Sequence, residues 1–559
     1  MSIIKGNHAG LGGAGAPGGA LGSFFSHTID QSLRLNRADS AHLSKTWSSA
    51  ADSNQVFTFS IWVKRHGEGD GSNELVLIQS KNTGSGTGQG STLLGFYRGS
   101  NILYYTENGG RNARSKALYR DCGAWMHLCW QYDSTQSTAE DRIKIYVNGV
   151  HLESGSTNWT SAGFGFPEVP ALNSVMTSMN QNTQLNAIGA GISTSINYGY
   201  FDGYIAEVIM LDGVSTDCTS FGEFKDGIWI PKAYSGSFGT NGYHLDFADS
   251  SAIGNDVSGN NNDWTANNLA TSDVVPDSPT NNFATLNPLF NSVSQAVLSE
   301  GNLKAATAGF SSSAYGYGAT STFAIPKDKK IYIEVEDTGA AGDNWFAGFA
   351  TKTSIEAGPA GNTGGSGAIT VYNRSVKING TETDYGSSAG LGGLGVAKLA
   401  AGDILGCAID GATGKVWFSR NGTYFKSPTT DDSGTTGNPS AGSNEIGTLT
   451  GGTTDDVFFV LGGGTSADNI FVNFGQDSVN VSSAAADANG LGTFEYAPPT
   501  DYVCLAASSL SDPTIGPGQS SQADDNFNTV LYTGNGSTQS ITGVGFQPDW
   551  TWIKNRAAA

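Results

Sequence analysis

Residues 57–65 read FTFSIWVKR, and their alternation decides the fold class. Phe57, Phe59, Ile61 and Val63 fall on one face of an extended chain, with Thr58, Ser60, Trp62 and Lys64 on the other. Outward from this stretch, similar short strand patterns recur at 32–36, 75–80, 93–97, 102–106, 125–132, 143–147, 185–190 and 203–211, separated by turn residues. Asn148-Gly149 divides 143–147 from a returning strand at 150–153, the signature of a two-residue type I′ hairpin. Nine or more short strands in roughly 190 residues predict an all-β, two-sheet sandwich of jelly-roll type.

Composition agrees. The chain has 559 residues, and its 77 glycines are about twice the ordinary share of ~7 per cent. They follow no G-X-Y period, which excludes collagen. Aromatic residues make up 10 per cent, too many for a disordered chain, and charged residues only 14 per cent. The formal net charge is −21, which repels nucleic acid and anionic membrane surfaces, so neither is expected as a partner. No run approaches ~20 apolar residues, so no membrane insertion is expected. Residues 1–7 place a lysine but no apolar run near the start, so no secretory signal is expected. Cys122, Cys129, Cys218, Cys407 and Cys504 are odd in number and widely spaced, which predicts free thiols made in a reducing cytoplasm. A pairing of Cys122 with Cys129 stays open.

A second block of strands opens near 301. KIYIEVED (330–337) alternates strictly; NWFAGFATKT (344–353), AITVYN (368–373), SVKING (375–380), GDILGCAID (402–410), KVWFSRNGTYF (415–425), VFFVLGG (457–463) and NIFVNFG (469–475) follow. Asn379-Gly380 and Asn421-Gly422 are further hairpin turns. The organisation expected is a Gly-rich docking arm at 1–30, a sandwich at 31–235 and a polar connector at 236–300. A second sandwich at 301–505 and the start of a third β unit at 506–559, with a hairpin in VLYTGNGSTQSITGV, complete it. The last strand pattern runs into 557–559, so a piece of a longer protein is expected. The arm's run AGLGGAGAPGGALGS (9–23) has too little apolar mass to fold alone. Phe24, Phe25, Ser26 and His27 behind it are the expected attachment residues, anchoring the arm on another protein.

Four motifs, FTFSIWVKR (57–65), WMHLCWQYD (125–133), IKIYVNGVHLE (143–153) and FDGYIAEVIMLDGVS (201–215), resemble the concanavalin-A-like, laminin-G-like family. The strands of the second block, with GTFEYAPPTDYVCL (492–505), resemble the SPRY family, whose members are binding modules without chemistry of their own. YHLDFADSSAIGNDVSGNNNDWTANN (243–268), DSPTNNFATLNPL (277–289) and GFQPDWTWIKNR (545–556) resemble tail-fibre and other virion proteins of marine bacteriophages. Concanavalin-A-like folds serve lectins, glucanases and passive spacers alike, so the fold alone does not assign an activity.

Candidate chemistry is sparse. Glu334 and Glu336 share a strand face at glycosidase-like spacing, yet Gly339 stands where a third carboxylate of the jelly-roll glucanase motif belongs, and a structural role is expected. Glu207 and Asp202 differ in strand parity, and the resemblance implies a buried Glu207 that satisfies backbone groups. His127 is expected as a packed strand residue. Asp256, Asn260, Asn261 and Asp263 could hold one Ca²⁺ at a sandwich rim, as the laminin-G resemblance allows; their spacing is not an EF-hand loop, and a solvated turn is the expected reading. No other cofactor is expected. Trp159, Tyr198, Tyr200 and Tyr385 sit in loop-like stretches and are the candidates for glycan contact.

The function expected is a non-enzymatic bacteriophage virion structural protein, the proximal, virion-attached part of a tail fibre that positions host-recognition surfaces. A capsid-attached decoration or head-fibre protein, and a polysaccharide-binding or polysaccharide-degrading enzyme, are the alternatives. Expected partners are the chain itself as a homotrimer, a phage tail adaptor or nozzle protein through the arm, and a host surface glycan or receptor. The expected location is the virion tail, after synthesis in the host cytoplasm.

Overall fold

The computed structural model describes residues 24–555 apart from 68–70, 82–90, 108–110, 154–158, 162–168, 194, 291–295, 307–315, 339–344, 358–365, 373–374, 385–398, 428–434, 464–468, 477–482, 511–520 and 522–524. In the first sandwich the strands are β1 (Ser32–Leu35), β2 (His42–Thr46), β3 (Val56–Arg65), β4 (Leu75–Lys81), β5 (Ser91–Phe96), β6 (Ile102–Glu107) and β7 (Arg111–Leu118). They continue as β8 (Met126–Asp133), β9 (Ile143–Val147), β10 (Val150–His151), β11 (Trp159–Ser161), β12 (Leu185–Ile188), β13 (Gly191–Ile192), β14 (Ile196–Tyr198) and β15 (Gly203–Asp212). The last are β16 (Gly222–Lys225), β17 (Ile228–Pro231), β18 (Tyr243–Leu245), β19 (Thr265–Asn267) and β20 (Val274–Val275). One eight-stranded sheet runs β10-β9-β8-β3-β15-β1-β20 with β18 also on β15. Its eight-stranded partner runs β11-β7-β6-β5-β4-β12-β2-β19.

Alternation in β3 does what its pattern predicts on one face. Phe57, Phe59, Ile61 and Val63 are buried against Leu77, Leu94, Phe96 and Leu103 of the facing sheet. The other face is buried too, at Trp62 by the β16–β17 hairpin and at Lys64 by residues 277–283. Trp62, Cys129, Tyr204, Phe221 and Trp229 pack there as a separate cluster. His127 is fully buried beneath that hairpin, its Nε2 2.8 Å from Ser60 Oγ while Trp229 Nε1 donates to its Nδ1 at 3.1 Å. Burial lowers its pKa to about 3, so it is a neutral packing residue. The Asn-Gly pairs at 148–149, 379–380 and 421–422 form the expected turns, with φ of 47° and 79°, 50° and 87°, and 49° and 76°.

The second sandwich pairs a nine-stranded sheet with a six-stranded one. Lys330–Asp337 sits between Ile404–Asp410 and Asn469–Asn473 in the first, and Trp345–Thr351 between Ala368–Tyr372 and Val457–Gly463 in the second. Ile331, Ile333 and Val335 meet Phe349, Phe459 and Leu461 in its core. The fold is therefore two β-sandwiches in tandem.

Three expected boundaries are corrected. Residues 236–300 are not a connector: β18 pairs with β15, β19 with β2 and β20 with β1, and Trp264 is buried in the first core. Val297–Ser299 and Lys304–Ala306 already belong to the second sandwich. The Asn and Asp residues that suggested a solvated linker instead fix tight internal turns. Residues 24–30 are not a detached arm, since Phe24, Phe25 and Ile29 are buried and Ile29 exchanges hydrogen bonds with Thr280; the run 9–23 lies outside the described residues. The hairpin expected after 527 does not form. Asn528 Nδ2 donates to the carbonyls of Gly543 and Val544, but no strand ladder joins them, and Phe527, Leu531, Trp550, Trp552 and Ile553 stay exposed. A two-stranded hairpin without a packed face is marginal in water.

The sandwiches join through a buried polar junction. Lys64 Nζ is 2.7 Å from Asp277 Oδ2 and from Asn282 Oδ1, and 3.0 Å from the Phe283 carbonyl. Trp125 Nε1 donates to the other oxygen of Asp277 at 2.9 Å, and Tyr204 OH reaches the Gly301 carbonyl at 2.7 Å. All five cysteines are buried and unbridged. Alkylation should therefore label none of them quickly in the native protein and all five in denaturant. A mass shift showing a Cys122–Cys129 disulfide would contradict this.

Candidate functional site

The outer face of the second sheet of the first sandwich gathers half-buried rings and charges. On β6, Leu103 and Tyr105 point into the core, so Tyr104 between them faces outward. The register Val76↔Gly95↔Tyr104↔Arg114 lines these positions across four strands, and Gly95 places no side chain between Tyr104 and β4. Tyr97, just past β5, meets Tyr104 edge-on at 5.3 Å between centroids. The Arg114 guanidinium carbon lies 3.5 Å from the Tyr97 ring centre and that of Arg98 5.8 Å from it. Arg98 Nε donates to Glu74 Oε1 at 3.0 Å.

The β13–β14 hairpin borders this face. Gln79 of β4 holds it there, its Oε1 accepting from Ile192 N at 2.6 Å and Tyr198 OH at 3.2 Å, while its Nε2 donates to Ser91 Oγ at 2.6 Å. Gly191 leaves room for the Tyr198 ring, since a Cβ there would stand 2.7 Å from Tyr198 Cζ. Burial, then the Glu74 charge, pushes the Tyr104 hydroxyl up from its ordinary pKa, and burial does the same at Tyr198. The bond to Glu74 raises that of Arg98. The result is a set of rings, a neutral Tyr104 hydroxyl and permanent guanidinium charges, a chemistry suited to stacking sugar rings and binding their oxygens.

Of the four residues expected to contact glycan, only Tyr198 is placed on this face. Trp159 lies on edge strand β11, with its backbone opposite Ser115 and its neighbour Thr160 opposite Arg114; its side chain is outside the description. Tyr200 instead packs beside Ala187, Ala190 and Ile192, 5.9 Å from the His42 ring. Tyr385 lies outside the described residues. Tyr97 and Tyr104 fall in what reads as ordinary strand sequence and Arg98 and Arg114 outside any strand pattern, and strand register brings them together.

The other candidates are committed elsewhere. Glu334 is buried, its oxygens accepting from Glu495 N at 2.8 Å, Tyr496 N at 2.9 Å and Tyr332 OH at 3.1 Å. Burial raises its pKa to about 7, against those bonds, and the carboxylate pins the 493–496 segment as a structural group. Its strand neighbour Glu336 is half-buried. Asp256 is not part of a solvated turn: it accepts from His244 N, Ser258 N and Oγ and Asn262 N, all at 2.8–2.9 Å, while Asp263 accepts from Asp256 N. Asn260 and Asn262 donate to the carbonyls of 239–242, and Asn261 supplies a left-handed backbone position at φ 57°. This loop is a closed hydrogen-bond knot. Among the described residues no group of three or more His, Cys, Asp or Glu side chains is arranged to hold a metal ion.

Glu207 departs from its expected role. It occupies a β-bulge of β15 at φ 47°, between Ala206 and Ile209, which breaks the parity argument that opposed it to Asp202. Asp202 stands just before β15, 3.5 Å from His66 Nδ1. Glu207 takes side chains rather than backbone, with His244 Nε2 at 2.7 Å and His27 Nε2 at 3.7 Å. Burial opposes its ionisation, but the two histidines outweigh that and hold its pKa at about 2; His244 is raised, the Glu207 bond and charge outweighing burial. The carboxylate's stabilising contribution is complete above about 4.5 and is lost as pH falls toward 2; that of His244 is complete below about 6.5 and is lost as pH rises beyond it. Glu207→Gln should therefore cost about 1–2 kcal/mol at pH 5–6 and progressively less at higher pH. Denaturant midpoints of both proteins at pH 5.5 and 8.5 check this, and an equal deficit at both would contradict it.

Phe24, Phe25, Ser26 and His27, expected to attach to another protein, are docked on this one. The two rings pack edge-on at 5.3 Å against Ile230 and Ile228, and Lys225 Nζ lies 4.8 Å from the Phe24 ring centre. Ser26 Oγ donates to Glu223 at 2.6 Å.

Residues 39–171 match the concanavalin A-like lectin/glucanases superfamily, a laminin G type, and residues 522–559 match a domain of unknown function (DUF7483). No curated protein matches the chain. Similar solved structures include a heptameric SAP-like pentraxin from Limulus polyphemus, at 14% identity and a TM-score of 0.24 over 34% of this chain and 78% of that one. Another, from Bacteroides ovatus and provisionally described as carbohydrate binding, is 16% identical with a TM-score of 0.28 over 43% of this chain and 59% of that one. The family match over residues 39–171 gives the first sandwich a concanavalin-A-like, lectin-type β-sandwich fold.

Proposed function

We propose that the chain is a non-enzymatic, glycan-contacting structural protein, serving as the virion-attached proximal part of a bacteriophage tail fibre. The observation that carries the glycan reading is the outward face of Tyr97, Tyr104 and Tyr198 flanked by Arg98 and Arg114 on a lectin-type sandwich. The binding-only reading is supported by the commitment of Glu334 to backbone amides and of Glu207 to histidines, which leaves neither as a free acid or base. The second sandwich, with its ordered SPRY-like strands, is a further binding or spacing module. The virion assignment draws on the phage-like stretches 243–268, 277–289 and 545–556. The buried Lys64–Asp277 junction suits a fibre, since it ties the two sandwiches together. Homotrimeric association and contact with a tail adaptor belong to the same proposal.

Two measurements test it. Incubation with algal and bacterial polysaccharides should yield bound complex and no new reducing ends; released reducing sugar would overturn the non-enzymatic reading. Cryo-EM of intact particles should place the chain at the base of a tail fibre. Density on the head would move it to a decoration or head-fibre role.

A further inference from the structure

Charge is distributed unevenly along this acidic chain. Residues 91–120 carry Arg98, Arg111, Arg114, Lys116 and Arg120 against a single anion, Glu107, in a protein whose net charge is −21. Glu107 does not offset them on the outer face, because it is fully buried and accepts from Tyr105 OH at 2.6 Å on the core side. The cations sit on or beside β5–β7, the strands that present Tyr97 and Tyr104. Arg98 and Lys116 are exposed, and Arg114 is half-buried on the Tyr97 ring. Glu74 pairs with Arg98, its Oε1 3.0 Å from Arg98 Nε.

We propose that the β5–β7 face binds an anionic polysaccharide, its carboxylate or sulfate groups on Arg98, Arg114 and Lys116 and its sugar rings on Tyr97 and Tyr104. This rests on the glycan-contact reading above and adds the charge class of the ligand. Guanidinium forks match carboxylate and sulfate oxygens, and a guanidinium already stacked on Tyr97 loses little freedom on binding. The acidity of the rest of the chain does not forbid this, because fixed charges beyond a Debye length of about 8 Å are screened at physiological salt. The same acidity disfavours duplex DNA, which presents a charge every ~1.7 Å, more than it disfavours a uronate chain with one charge per ring.

The test is affinity electrophoresis of the full chain in native gels containing polygalacturonate, dextran sulfate or neutral dextran, with double-stranded DNA titrated in parallel. Retardation is expected in at least one acidic gel, weakened at least tenfold at 0.5 M salt and in the Arg98→Gln/Lys116→Gln variant. Retardation by polygalacturonate alone assigns carboxylate recognition, and by dextran sulfate alone sulfate recognition. Arg114→Gln should show the same loss; if thermal melting finds it unfolded, the exposed double variant decides. Retardation by neutral dextran that the variants share with wild type would overturn the anionic ligand and leave the glycan reading standing. Retardation by no glycan would overturn both. DNA binding of equal strength that the variants abolish would reassign the face to nucleic acid.

Discussion

Lys64→Ala is expected to destabilise the protein by about 3–5 kcal/mol, the cost of leaving a buried partner charge uncompensated. Both Lys64 and Asp277 are inaccessible to solvent, and the ammonium makes three bonds to Asp277, Asn282 and the Phe283 carbonyl. Burial alone lowers the pKa of Lys64, and the Asp277 charge works against that. Removing the ammonium leaves Asp277 with Trp125 Nε1 at 2.9 Å and a long 3.4 Å contact from Phe283 N. The Lys64→Met/Asp277→Asn double variant should recover much of the loss, because it removes both charges together. Urea denaturation of the three proteins checks this. A single variant within 1 kcal/mol of wild type would mean the junction contributes little to stability.

Phe24→Ser/Phe25→Ser should destabilise the β16–β17 region by roughly 3–5 kcal/mol, in the range of large core aromatic truncations. The two rings cover Ile230, which is fully buried, and help to seat the hairpin that shields His127 and Trp62. Hydrogen exchange should speed up across 222–231 while the cores of both sandwiches stay protected. This reverses what the sequence suggests on its own, where an uncharged Gly-rich run followed by two phenylalanines reads as an anchor for another molecule. Unchanged exchange in the double variant would restore that reading.

The contrast shows what local pattern carries. Strands such as 57–65 and 143–147 and the three Asn-Gly turns are legible because alternation and positive φ are properties of adjacent residues. β7 was missed because RNARSKAL has no apolar alternation; its pairing with β6 supplies its order. The stretch 243–275 was misplaced because its Asn and Asp side chains make internal bonds to nearby backbone that composition cannot distinguish from solvated turns. The candidate site was half legible. Tyr198 stands out in a loop-like stretch, but Tyr97, Tyr104 and Arg114 converge only through a register spanning three strands with a break between Ile102 and Tyr104. Glu207 likewise needed the bulge, which no period-2 reading contains.

The proposed glycan-contact face is tested most directly by isothermal titration of wild type and Tyr97→Ala/Tyr104→Ala with whichever polysaccharide the gels identify. Wild type should bind, and the variant should bind at least tenfold more weakly, about 1.4 kcal/mol, with its melting temperature little changed, since both rings are only half-buried. Equal affinity in the two proteins would show that the tyrosine face is not where sugar binds.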